Sequence, residues 1–203
     1  MSDEAPNTSD EAASQSESPA GSPLGLNMLF DPTVGVVAAV KPTYGPAPIL
    51  DQYGMLADHV PTGWSYGMMR MNIYETPHHP DIRSFDLPGD LAGFYRLDLD
   101  LIVIDKSMDY TRKRCTLVHE LVHRQHRDDT SRGRCGGQAE RQCQAQTARM
   151  LIRLDDYIIA EHAYDGDITL MADALNVTTQ IVEHYRRYVI PTINRSSLID
   201  LDF

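Results

Sequence analysis

Cysteine is scarce in this sequence, with only Cys115, Cys135 and Cys143 among 203 residues. They form no Cys-x-x-Cys pair and their number is odd, which argues against a disulfide framework and against a sulfur-ligated zinc site. A reducing cytoplasm is the compartment that fits. Long apolar runs are also missing: no stretch approaches the roughly 18 residues needed to cross a bilayer. Met1-Ser2-Asp3-Glu4 offers neither the basic nor the apolar region of a secretory signal. Positive charge is in deficit, with 18 Lys and Arg against 29 Asp and Glu and a net charge of −11. That balance disfavours a general nucleic-acid binder.

The charge is unevenly spread. Residues 1–23 hold Asp3, Glu4, Asp10, Glu11 and Glu17 and no basic residue, a net −5. Residues 107–153 hold ten Lys or Arg against Asp109, Glu120, Asp128, Asp129 and Glu140, a net +5. A solvated helical surface explains the second cluster more simply than an acidic partner does.

An apolar content of 42% is ordinary for a globular domain. Residues 1–23 are rich in Ser, Glu, Ala and Pro and lack aromatics, so they read as a disordered acidic tail. Residues 24–60 are apolar but broken by Pro32, Pro42, Pro46 and Pro48, and read as loop with short elements. Strand patterns follow at Ile82–Leu87, which ends at Pro88-Gly89, at Gly93–Leu97, and at Leu99–Asp105 with its continuous Leu101-Ile102-Val103-Ile104 run. These predict a small antiparallel sheet. Asp109 can cap a helix over Tyr110–His126. A loop over 127–137 and a second helix over Gln138–Ile159 come next, then two short helical patterns at 168–175 and 178–189 that end before Pro191.

The first long helix carries His119-Glu120-Leu121-Val122-His123. Side chains four apart on a helix share a face, so both imidazoles can grip one ion. Glu120 lies about 60–100° round from them and is suited to take a proton from water activated by that ion. Cys115, Val118 and Val122 form one apolar arc and Leu117 and Leu121 another, which makes the helix a buried central one. Two histidines and a glutamate in such a place are costly unless a metal satisfies them.

A third ligand is required. The metzincin continuation fails, because His126 stands where its glycine should be and Asp129 where its third histidine should be. Glu140 is the better candidate. It opens a face of the next helix made with Cys143, Gln144, Thr147 and Leu151, and small Cys143, Thr147 and Ala148 let the two helices approach. Two His and one Glu leave a fourth position open for water, as a catalytic zinc site requires. The spacing is gluzincin-like; zinc is the expected ion, with manganese as the alternative.

The stretch Arg112-Lys113-Arg114-Cys115-Thr116-Leu117-Val118-His119-Glu120-Leu121-Val122-His123 resembles the ImmA/IrrE family of metallopeptidases, in an actinobacterial or phage style. So do the preceding Leu101-Ile102-Val103-Ile104-Asp105 and the later Glu140–Ile152. In that family the second helix supplies the glutamate ligand, and Glu140 matches. The segment Leu170–Tyr188 resembles the family's helix-turn-helix-like continuation. Residues 24–80 match nothing recognisable.

The resemblance implies cleavage of a helix-turn-helix repressor, relieving repression of phage, mobile-element or stress genes. The setting would be the cytoplasm, or the host's if the gene is a phage's. Within 165–191 the charge is a net −2, so protein docking suits this segment better than DNA binding. Ala172, Leu175, Val177 and Val182 form its expected core; Thr178, Thr179, Gln180 and Glu183 its exposed start; and His184 reads as a surface or packing residue.

The expected fold is thus α+β: a small antiparallel sheet packed on a zincin-like two-helix metal core, followed by a helix-turn-helix-like segment. The expected divisions are 1–23, 24–163, 164–191 and 192–203. The main alternative function is a regulator that binds DNA or a repressor and carries a merely structural metal. A metal hydrolase of non-peptide bonds is the other.

Overall fold

The computed structural model describes residues 27–31, 35–40, 48–133 and 136–193. The acidic tail expected over 1–23, Cys135 and residues 194–203 lie outside them. The chain divides into two units, Met1–Gly45 and Pro46–Phe203. The division falls inside the span 24–163 read as one domain, in the stretch spaced by Pro42, Pro46 and Pro48. In the first unit β1 (Asn27–Asp31) and β2 (Gly35–Val40) pair antiparallel.

The second unit is α+β. Its sheet contains β3 (Asp81–Phe85), β4 (Gly93–Arg96) and β5 (Leu101–Asp105) in the order β3-β5-β4. It is mixed, not antiparallel as expected: β4 and β5 are antiparallel, but β3 and β5 are parallel. The reason lies in burial. β5 is the most apolar strand, with Ile102, Val103 and Ile104 all buried, and it takes the centre. The connection over 86–92 carries the chain one strand-width beyond the place β5 will fill. A 3-10 turn at Leu97–Leu99 and the left-handed Asp100 then return it into the gap.

Six α-helices accompany this sheet among the described residues. The first, α1 (Tyr66–Tyr74), was not foreseen. Ser65 caps it, and it buries Tyr66, Met69 and Ile73 on one face. Next, α2 (Tyr110–His126) keeps its expected bounds; the Asp109 carboxylate accepts from the Arg112 N–H at 2.7 Å, and Arg127 ends it in the left-handed region. The second long helix is in fact two, α3 (Gly137–Leu151) and α4 (Leu154–Ala163). The break is at Ile152, extended and buried, where the Val60 N–H donates to the Met150 carbonyl and Asp155 and Asp156 start the new helix. Finally α5 (Ile168–Ala174) and α6 (Thr179–His184) form a tight pair, and α6 runs on into a π-helical turn, Tyr185–Val189.

That pair is fastened to α2. Arg114 is fully buried and donates to the carbonyls of Trp64 (2.9 Å), Asn176 (2.8 Å) and Pro61 (3.1 Å). Asn176, left-handed at the α5–α6 turn, sends its own amide to the carbonyls of Thr62 and Trp64. Ala172, Leu175, Val177 and Val182 are buried as their spacing predicts. No helix among the described residues is long and apolar enough to cross a membrane.

Candidate metal centre

The apolar arcs of α2 sink it into the core, with Leu117, Val118, Leu121 and Val122 at 1% exposure or less. This fixes the direction of its polar side chains. His119 and His123 stand one turn apart with their Nε2 atoms 3.0 Å from each other and their rings nearly perpendicular, at 82°. From α3, Glu140 Oε1 lies 3.5 Å from His119 Nε2 and Oε2 lies 3.5 Å from His123 Nε2. Cys143, Thr147 and Ala148 are buried, so small side chains line the approach of the two helices.

Three donors thus converge on one point. A tetrahedral ion with bonds of about 2.0–2.2 Å has ligand–ligand edges of roughly 3.3–3.6 Å. The observed separations are close to such edges, and the residues fit the ion the motif calls for. The opposite ring nitrogens are occupied elsewhere. His123 Nδ1 lies 3.4 Å from Cys143 Sγ and 3.6 Å from Asp128 Oδ2, and His119 Nδ1 lies 3.5 Å from Thr147 Oγ1. Partners at Nδ1 orient each ring and leave Nε2 to bind. His123, Asp128 and Cys143 also lie close enough to hold an ion. They meet at the Nδ1 that must keep its proton if Nε2 binds, so they act as supports of the first cluster.

The electrostatics agree. Burial, then the neighbouring His123, lowers His119 to about 4, so its imidazole is neutral and keeps one ring nitrogen as an acceptor. Burial alone would lower His123 as well, but contacts with Cys143 and Glu140 and the Glu120 charge carry it up to about 11. The same contact with His123 holds Glu140 down at about 2. The cluster therefore favours positive charge on the His123 ring, beside the point where the three donors meet. A divalent ion at that point would displace a proton from His123 Nε2.

Glu120 is 4% exposed, and burial pushes its carboxyl up to about 7. Its Oε2 accepts from the Thr130 hydroxyl at 3.2 Å. Thr130 is fixed to the edge of β4: its Oγ accepts from the Tyr95 N–H at 2.7 Å, and its own N–H donates to the Tyr95 carbonyl at 2.9 Å. Thr130 has no sequence signal, because it sits in an aperiodic loop and reaches Glu120 only through the sheet.

The donors open into a cleft of about 540 Å³ between β4, α2, α3 and α6, with Leu91, Thr116, Gln144, Ile181 and His184 on its walls. Gly93 lets β4 lie against α2, since a Cβ there would meet Thr116 Cγ2 and the Val103 carbonyl at 2.8 Å. Other sequence candidates fall outside the cluster. His126 is exposed and bonded to Gln146, and Asp129 is exposed and bonded to Ser131. At the start of α6, Thr179, Gln180 and Glu183 are exposed, and Gln180 also borders the cleft. His184, read from sequence as surface or packing, lines the cleft; periodicity could not show which element would face the ion.

The family described as the IrrE N-terminal-like domain, Peptidase M78, matches residues 78–185. No curated protein and no solved structure matches the chain.

Proposed function

Because the chain belongs to the IrrE N-terminal-like family of M78 peptidases and so has a metallopeptidase-type function, we propose that it is a zinc-dependent endopeptidase acting on a helix-turn-helix repressor in the cytoplasm. The observation that carries the reading is the convergence of His119, His123 and Glu140 beside a buried Glu120. In this reading the first three hold the ion and Glu120 is the general base. When bound, such an ion supplies Lewis acidity, polarising a water and the substrate carbonyl.

The chain's own residues do the rest. Thr130 holds Oε2 of Glu120, leaving Oε1 to take a proton from the attacking water. The water oxygen adds to the carbonyl carbon and the C–N bond breaks. The proton on Glu120 passes to the leaving amine, and the carboxylate is restored. A base near neutrality suits both transfers.

A purely structural metal has no use for a buried carboxylate beside its ligands. The exposed row Thr179, Gln180 and Glu183 next to the cleft supports protein docking over DNA reading, since it offers no phosphate-binding cation.

The test is to incubate the zinc-loaded protein with the repressor encoded beside its gene and to analyse the fragments by mass. Glu120→Gln should keep fold and metal and lose cleavage by at least ~100-fold. Substantial cleavage by that variant would sink the mechanism.

A further inference from the structure

Peptide hydrolysis makes two demands on the protein, a base for the water and a donor for the carbonyl oxygen as it becomes negative. Glu120 meets the first and, being an acceptor, cannot meet the second. We propose that His184 is the donor: a catalytic residue whose Nε2–H binds the substrate's carbonyl oxygen. This rests on the peptidase reading above.

Three observations carry it. His184 lines the cleft from α6, on a wall separate from the two helices that bear the metal donors. Its Nδ1 is sealed from solvent and has no partner among the described residues, so Nε2 is the ring nitrogen left to act in the cleft. A buried nitrogen without a partner is costly, and such atoms call for an explanation in function.

The backbone also singles this residue out, because α6 ends at His184 and gives way to the π turn Tyr185–Val189. Single π turns recur at functional sites. The turn is packed into the core: Tyr185 and Val189 are buried, and the Tyr185 ring stacks on Tyr157 at 5.0 Å. Gln144 Nε2, an amide donor beside Glu140, is already bonded to Glu140 Oε1 at 2.9 Å. No proton leaves His184 in the reaction. Its hydrogen bond tightens as the carbonyl oxygen gains charge and relaxes when the C–N bond breaks.

The test uses the zinc-loaded full chain, two probes and calorimetry. A blocked phosphinic dipeptide mimics the tetrahedral, negatively charged carbon. Acetohydroxamate grips a metal through its own two oxygens. His184→Phe keeps a packed ring but no donor, and His184→Gln keeps a donor. The phosphinic probe should bind His184→Phe roughly 10- to 100-fold more weakly, and acetohydroxamate within about twofold of normal, with zinc content unchanged. His184→Gln should recover part of the loss.

Equal binding of the phosphinic probe by wild type and His184→Phe would overturn this assignment alone. So would parallel loss of both probes, which marks a structural role. Failure of the wild type to bind either probe would overturn the peptidase reading, and this assignment with it.

Discussion

At the scale of single residues, the third donor decides the chemistry. Glu140 faces both Nε2 atoms at 3.5 Å, while His126 is turned away to Gln146. Glu140→Ala should therefore cut bound zinc, measured by atomic absorption after dialysis, by at least ~10-fold, and His126→Ala should leave it unchanged. Zinc retained by the first variant would move the third ligand elsewhere. Thr130 makes a second prediction. Thr130→Val removes the bond to Glu120 Oε2 and should lower kcat roughly 10-fold with little change in KM; Thr130→Ser, which keeps the hydroxyl, should restore it. An inactive serine variant would show that the methyl group or the loop, and not the bond, matters.

The residues nearest in sequence were the legible ones. His119, Glu120 and His123 follow from one helical turn, and Glu140 follows from helix facing. Thr130 and His184 reach the cleft through a loop pinned to a strand and through a third helix, and no periodicity encodes either path.

At the scale of elements, the sequence announced helices better than it announced their limits. Apolar spacing set α2 to the residue, but ran straight through Ile152, where its own burial and the Val60 N–H donated to the neighbouring Met150 carbonyl outweigh helical propensity. Strand order was hidden for a related reason: alternation reports which faces are buried, not which strand fills the middle.

One link between elements has a pH signature. Asp100, at the turn into β5, receives two hydrogen bonds from Arg124 of α2, at 2.7 and 2.9 Å. Burial would raise its pKa, but these bonds and the Tyr95 hydroxyl hold it below the usual carboxylate range. A depressed folded value means the stabilisation is present above the unfolded value of ~3.9 and is lost as pH falls through the folded one. Asp100→Asn, which tolerates the left-handed backbone there, should melt lower than wild type at pH 7. The difference should shrink once pH drops below ~3.9. A gap in Tm that is constant with pH would show the charge to be irrelevant.

At the scale of the whole molecule, the helix pair that looks like a detachable reading head is part of the catalytic body. Buried Arg114 and left-handed Asn176 join α2, the 61–64 segment and the α5–α6 turn through hydrogen bonds to carbonyl oxygens at and just below the surface. The consequence concerns cooperativity. Parts joined by such a knot should open together, as one unit, rather than fray in turn. In native-state hydrogen exchange, the amides of Ile181 and Val182 should open with the same free energy and the same denaturant dependence as those of Leu121 and Val122. Faster exchange confined to α5 and α6 would instead reveal a separable module. If the amides move as one, proteolysis cannot trim this chain to a smaller working peptidase, and a force applied to α6 is felt by the helix that carries the histidines.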